Sequence, residues 1–95
     1  MKPILIALLF VASVACTTQI YAPTEANVNK VQPATLAELQ QGHDLYQNKC
    51  GKCHKLPNPG KHSKDDWTKI LDKMAPKAKL STDQSDLVYK YVVNN

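Results

Sequence analysis

Apolar residues recur at helical spacing in three separate stretches of the chain. Leu39, Gly42, Leu45 and Tyr46 form one stripe, Trp67, Ile70, Leu71 and Met74 a second, and Leu87, Val88, Tyr91 and Val92 a third. Spacings of three and four residues put each set on one helix face, and each face needs another surface to cover it. Gly42 lets another backbone come close. Each stretch also opens on a capping sequence. Thr35-Leu36-Ala37-Glu38 fits the box in which Thr accepts a backbone N–H and Glu reaches back to the cap. Ser63-Lys64-Asp65-Asp66 sets a hydroxyl cap ahead of two acids that suit the positive helix end. Ser81-Thr82-Asp83-Gln84 begins the third. The pattern predicts helices from Thr35 to about Asn48, from Ser63 to about Ala75, where Pro76 restricts the residue before it, and from Ser81 almost to the C-terminus. No alternating strand pattern is visible, and Leu56-Pro57-Asn58-Pro59-Gly60 reads as a turn-rich loop. The expected fold class is all-α, with about three helices.

The start of the 95-residue chain has a different character. Lys2 supplies a positive charge, Ile4 to Val14 is almost wholly apolar, and Ser13-Val14-Ala15 offers small residues for cleavage. That reads as a secretory signal over residues 1–15, too short for a membrane-spanning helix of about 20 residues. Cys16 follows directly. This resembles a bacterial lipobox, in which the mature chain begins with a diacylated cysteine, although Ser13 stands where Leu is the commoner choice. Ordinary cleavage after Ala15 would instead leave Cys16 as an exposed thiol open to oxidation, which favours the lipid-anchored reading. Residues 16–33 carry Pro23, Pro33 and several amides with little apolar periodicity. They read as a lipidated N-terminus and flexible tether with a typical span of roughly 20–25 Å. The folded domain is then expected over residues 34–95. A domain of about 60 residues buries little surface and often needs a staple.

A candidate for that staple lies between the first two helices. Cys50-Gly51-Lys52-Cys53-His54 is a C-x-x-C-H run, which reads as a c-type haem attachment site. Two thiols add across the two vinyl groups of one haem, and the adjacent histidine offers its imidazole to the iron as proximal ligand. C-x-x-C could also be half of a zinc site. Zinc needs about four ligands, and the remaining Cys16, His43 and His62 would make an irregular set. It could equally be a thioredoxin-like redox pair, but that expects a βαβ context absent here. Export agrees with the haem reading, because bacterial c-type haem is attached outside the cytoplasm. There is one such motif and no internal repeat, so one covalent haem c is expected.

At this point the chain resembles the small monohaem, class I-like cytochromes c of bacteria. The resemblance rests on Gly42-His43-Asp44-Leu45-Tyr46-Gln47-Asn48-Lys49 running into the C-x-x-C-H, on Trp67 through Met74 to Leu80-Ser81, and on Leu87-Val88-Tyr89-Lys90-Tyr91. It covers about two thirds of the precursor. It implies a cytochrome c-like fold wrapped around the haem, with Gly42 and Tyr46 packed on the last helix near Tyr91. It also implies Met74 as the distal iron ligand. His54 and Met74 are 20 positions apart, a short spacing that would leave more haem edge exposed. Apart from Met1, Met74 is the sole methionine. A thioether ligand favours reduced iron. The plainer reading of Met74 is the last core residue of its helix. His62 is the rival ligand, with His43 behind it, and an iron with no distal protein ligand is the remaining case. Trp67 is expected either to pack on the haem or donate its N–H to a propionate, or simply to sit in the core.

Charge adds a partner. The chain carries +4 overall, and from Lys49 to Lys79 nine lysines face only Asp65, Asp66 and Asp72, a local excess of +6. This is either a solubilising surface or a docking surface for acidic rims of redox-partner proteins. The absence of Arg speaks against bidentate phosphate reading, and nucleic acid is not an expected partner. The leading expectation is a one-electron carrier on the periplasmic side of a bacterial membrane, probing partners by charge and held there through Cys16. The alternatives are a haem-based binder or sensor of a small gas, and a dedicated electron-transfer subunit of one enzyme. No acid–base pair suggests an enzyme in its own right.

Overall fold

The computed structural model describes residues 20–51 and 55–95, and the described part is all-helical. Helix α1 spans Leu36–Leu45, α2 spans Lys64–Lys77 and α3 spans Thr82–Val93, with no strand among the described residues. All three begin at the predicted caps. Thr35 accepts from the Glu38 N–H at 3.1 Å while Glu38 Oε1 accepts from the Thr35 N–H at 3.0 Å. Ser63 Oγ accepts from the Asp66 N–H, and Ser81 and Gln84 form a second reciprocal box. Each pair satisfies backbone donors that a helix start would otherwise leave open.

The helix ends differ from the expectations in two places. Regular α1 stops at Leu45, and the chain continues as a widened π-type turn over Tyr46–Cys50. Such turns are rare outside functional or strained positions. Here it delivers Cys50 at its end. Gly51 lets the chain leave that turn, since a Cβ there would lie 2.4 Å from the Gln47 carbonyl oxygen. The second helix does not end at Ala75 but runs through Pro76 to Lys77. Proline is accommodated because it sits in the last turn, where the chain closes in a Schellman arrangement. Lys79 N–H donates to the Pro76 carbonyl and Leu80 N–H to that of Ala75, with Lys79 in the left-handed region at φ 57°.

Helices α1 and α3 pack closest. A Cβ on Gly42 would lie 2.2 Å from the Leu87 carbonyl oxygen and 2.7 Å from Tyr91 Cβ, so only glycine permits this approach. Leu39, Val88, Tyr91 and Val92 are fully buried. Tyr46 and Tyr91 meet with ring centroids 5.9 Å apart, so Gly42 and Tyr46 both pack at Tyr91. Trp67 and Leu71 bring α2 into the same core.

The largest correction concerns residues 20–33. They were expected to be a free tether and instead are built into the globule. Tyr21 stacks on Tyr91 with centroids 4.4 Å apart and planes within 9°. The two phenols donate reciprocally to each other's backbone carbonyls. Glu25–Asn27 forms a 3-10 turn, and Asn27 Nδ2 donates to the Asn94 carbonyl at 2.9 Å. Asn94, buried at 0 % exposure, clasps the strand of chain beside it. Its Oδ1 accepts from the Val31 and Gln32 N–H groups, and its Nδ2 donates to the Gln32 and Lys90 carbonyls. The described globule therefore includes residues 20–33. Amides and prolines look like coil when read alone; paired with a buried amide at the far end of the chain they become structure. The expected signal over residues 1–15 and the lipidation candidate Cys16 lie outside the described residues.

Candidate functional site

A cavity of about 260 Å³ opens beside Cys50. Its walls come from three elements. Tyr46 and Cys50 belong to the turn that extends α1, Leu56 and Pro57 to the loop after the motif, and Trp67, Ile70, Leu71 and Met74 to α2. Lys55 and His62 complete the lining. Apart from these two, the walls are dominated by apolar side chains, and hydrocarbon facing such a space gains if an apolar ligand replaces water there.

Two hydrogen bonds hold the loop against the helices. Tyr46 Oη donates to the Pro57 carbonyl, and Trp67 Nε1 donates to the Pro59 carbonyl at 2.9 Å. Both carbonyls belong to a segment rich in proline, which has few backbone donors of its own. Trp67 is 1 % exposed and meets Tyr46 edge to face at 5.9 Å and His62 edge to face at 5.1 Å. Its indole thus lines the cavity, but its N–H is already engaged. Of the readings open for Trp67, the structure shows the buried core position, with the N–H donated to the Pro59 carbonyl.

The stripe Trp67-Ile70-Leu71-Met74 faces this cavity over its whole length, and Met74 is half-buried at its wall. His62, the rival for the distal position, lines the same cavity. His43 does not belong to that lining. It hydrogen-bonds Asp44 at 3.0 Å and packs edge-on against Tyr91 at 5.4 Å. The Cys50 sulfur is half-buried, and desolvation pushes its thiol above the ordinary range. Burial raises the Tyr46 phenol too, with Cys50 nearby adding to the effect. Uncharged thiol and phenol suit an apolar wall. Cys53 and His54 lie outside the described residues.

Leu56 and Pro57 read from the sequence only as part of a turn-rich loop, yet they form one wall. Their only signal is adjacency to the motif. Among the described residues the lysines around the motif are outward: Lys49, Lys55, Lys61, Lys64, Lys69, Lys73, Lys77 and Lys79 are all exposed. Among the described residues, no cluster of three or more His, Cys, Asp or Glu side chains comes together, and no helix is long and apolar enough to cross a membrane. Comparison of the chain with known protein families, curated sequences and solved structures finds no match.

Proposed function

We propose that this protein binds one covalent haem c through Cys50 and Cys53 and serves as a one-electron carrier between redox proteins on the periplasmic side of a bacterial membrane. The observation that carries the reading is the coincidence of a C-x-x-C-H motif with an apolar cavity whose wall includes Cys50 and a thioether. The donor set suits the group: two thiols for covalent attachment, His54 for the proximal position, and Met74 or His62 for the distal one. When bound, the haem supplies an iron that alternates between two oxidation states.

The chain's own residues do the rest. Tyr46, Leu56, Ile70 and Leu71 exclude water from the apolar wall, which stabilises the less charged state of a buried centre. Met74 would favour reduced iron as a soft ligand. The exposed lysines would steer the protein onto acidic surfaces of its donor and acceptor, an attraction that weakens as salt rises. The segment ahead of Ile20 would export the chain and, if cut before Cys16, anchor it by lipid.

The test is spectroscopic. Purified protein should carry one haem by mass, resistant to acid–acetone extraction, and oxidised protein should show a Met–iron charge-transfer band. Met74→Ala should abolish that band, lower the potential and admit carbon monoxide, while the covalent haem stays. An unchanged spectrum in Met74→Ala would move the distal role to His62. Rapid carbon monoxide binding by unaltered ferrous protein would favour the small-gas reading instead. A mature N-terminus without a diacylglyceryl mass would remove the lipid anchor.

A further inference from the structure

The N-terminal segment is fastened from its first described residue onward. Ile20 is half-buried and packs against the core. Tyr21 stacks on Tyr91 at 4.4 Å, and the two phenols donate to each other's backbone carbonyls. Farther along, Asn27 Nδ2 donates to the Asn94 carbonyl, and Asn94 Oδ1 accepts from the Val31 and Gln32 N–H groups. Lys30 Nζ donates to a main-chain oxygen of Asn95 at 2.8 Å. Asn29 Oδ1 accepts from the Ala34 N–H at 2.9 Å, which closes the segment onto the start of α1. The segment is therefore held at both ends and in its middle, with no slack to pay out.

That leaves little chain between the domain and Cys16. Tyr21 lies five positions after Cys16. Five residues span at most about 18 Å, whatever course they take. From the Tyr21 ring, one step of 4.4 Å to Tyr91 and one of 5.9 Å to Tyr46 lead to the cavity wall. A tether free over residues 16–33 would instead reach about 60 Å when extended. We propose that residues 20–33 are a strap that puts the domain on a short leash: with Cys16 lipidated in a bilayer, the cavity stays within about 30 Å of the lipid surface. The proposal rests on the lipid-anchor reading above. The partner it implies is a redox protein of the same bilayer, met by diffusion along the surface. A docking face standing farther than this from the lipid is out of reach.

The test is the height of the domain above a bilayer. The mature lipidated protein would be inserted into a supported bilayer of phosphatidylcholine, which has no net charge to attract the lysines. The layer would be profiled by neutron reflectometry, with the mass of the mature N-terminus read first. The centre of the protein layer is expected within about 30 Å of the headgroups. A twelve-residue Gly/Ser insertion after Gln19 leaves the strap docked and lengthens the leash. It should move the centre outward by roughly 10 Å or more. Tyr21→Ala combined with Asn94→Ala releases the strap and should also raise the domain, with circular dichroism checking that the helices persist. A parent layer centred beyond about 30 Å, or an insertion variant or folded strap variant at the parent's height, overturns the leash while the anchor and carrier readings stand. A mature N-terminus without a diacylglyceryl mass overturns the anchor reading and this proposal with it.

Discussion

The contact between α1 and α3 and the space between α2 and the loop before it are built in opposite ways. On the first side the backbones touch at Gly42, Leu39 and Val88 are fully buried, and Asn94 satisfies three backbone groups of the N-terminal segment and one of α3. Nothing there awaits a partner. On the second side Cys50, Leu56, Ile70 and Met74 are only half-buried and border a cavity. Interiors ordinarily pack to crystal-like density, so a cavity walled by apolar side chains beside Cys50 marks where a domain this small leaves room for something else. The closed side holds its shape with its own side chains; on the haem reading, the open side is the one that needs a filler.

That contrast can be broken most forcefully by removing the attachment cysteines. Cys50→Ala with Cys53→Ala should abolish covalent haem. Hydrogen exchange should then show α2 and residues 55–62 losing most of their protection, while α1 and α3 keep theirs. Uniform protection in the double variant would show that the open side needs no filler. Closing on the other side can be broken by Gly42→Ala. The new methyl group meets backbone at 2.2 Å, so the helices must separate. The expected cost is about 3 kcal/mol, or roughly 12–24 °C in Tm by calorimetry. A loss under about 1 kcal/mol would mean that the two backbones yield easily.

Asn94→Ala sharpens the role of the N-terminal segment. It strands the Val31 and Gln32 N–H groups, which are otherwise held at 2.8 and 3.0 Å. An expected loss of about 2 kcal/mol in denaturant melts, with protease cleavage appearing between residues 20 and 33, would identify the amide as the clasp. Cleavage no faster than in the parent chain would show that the Asn94 side chain is not what holds the segment.

The smallest effect is expected from Glu38. Its carboxyl accepts from Lys90 Nζ at 2.7 Å, and that hydrogen bond, ahead of the one from the Thr35 backbone, lowers its pKa from 4.5 to about 2. A folded-state value below the unfolded one stabilises the protein fully above pH 4.5 and progressively less as pH falls toward 2. Because the pair is at the surface, salt screens most of it. Melting temperatures measured between pH 6 and pH 3 should fall slightly less in Glu38→Gln, which keeps the capping geometry, than in the parent. An identical fall in both would place the acid sensitivity elsewhere.

Much of the architecture was legible before any coordinates. Helix starts are local events. Thr35, Ser63 and Ser81 each sit three residues ahead of the group they bond to, so a short string of letters suffices to locate them. The three stripes are equally local, because helical periodicity alone decides which residues share a face. The stripe through Met74 faces the cavity for that reason. The C-x-x-C-H motif likewise needs only adjacency.

What the sequence could not determine depends on partners far along the chain. Asn94 lies more than sixty positions from the residues it clasps, and a polar residue after a last helical turn reads as exposed. Tyr21 sits in a stretch whose composition suggests coil, and it is ordered by Tyr91 seventy positions away. Trp67 was recognisable as apolar and helical, but only the course of the Pro57–Pro59 loop decided that its N–H would serve a backbone carbonyl. Pro76 is a local exception. Its ring ought to end a helix, yet bonds from Lys79 and Leu80 let the last turn include it. Side-chain type and near-neighbour spacing determine where helices begin and which face is apolar. Which buried polar groups meet, and where a cavity is left, is decided by closing loops over distances at which no local pattern survives.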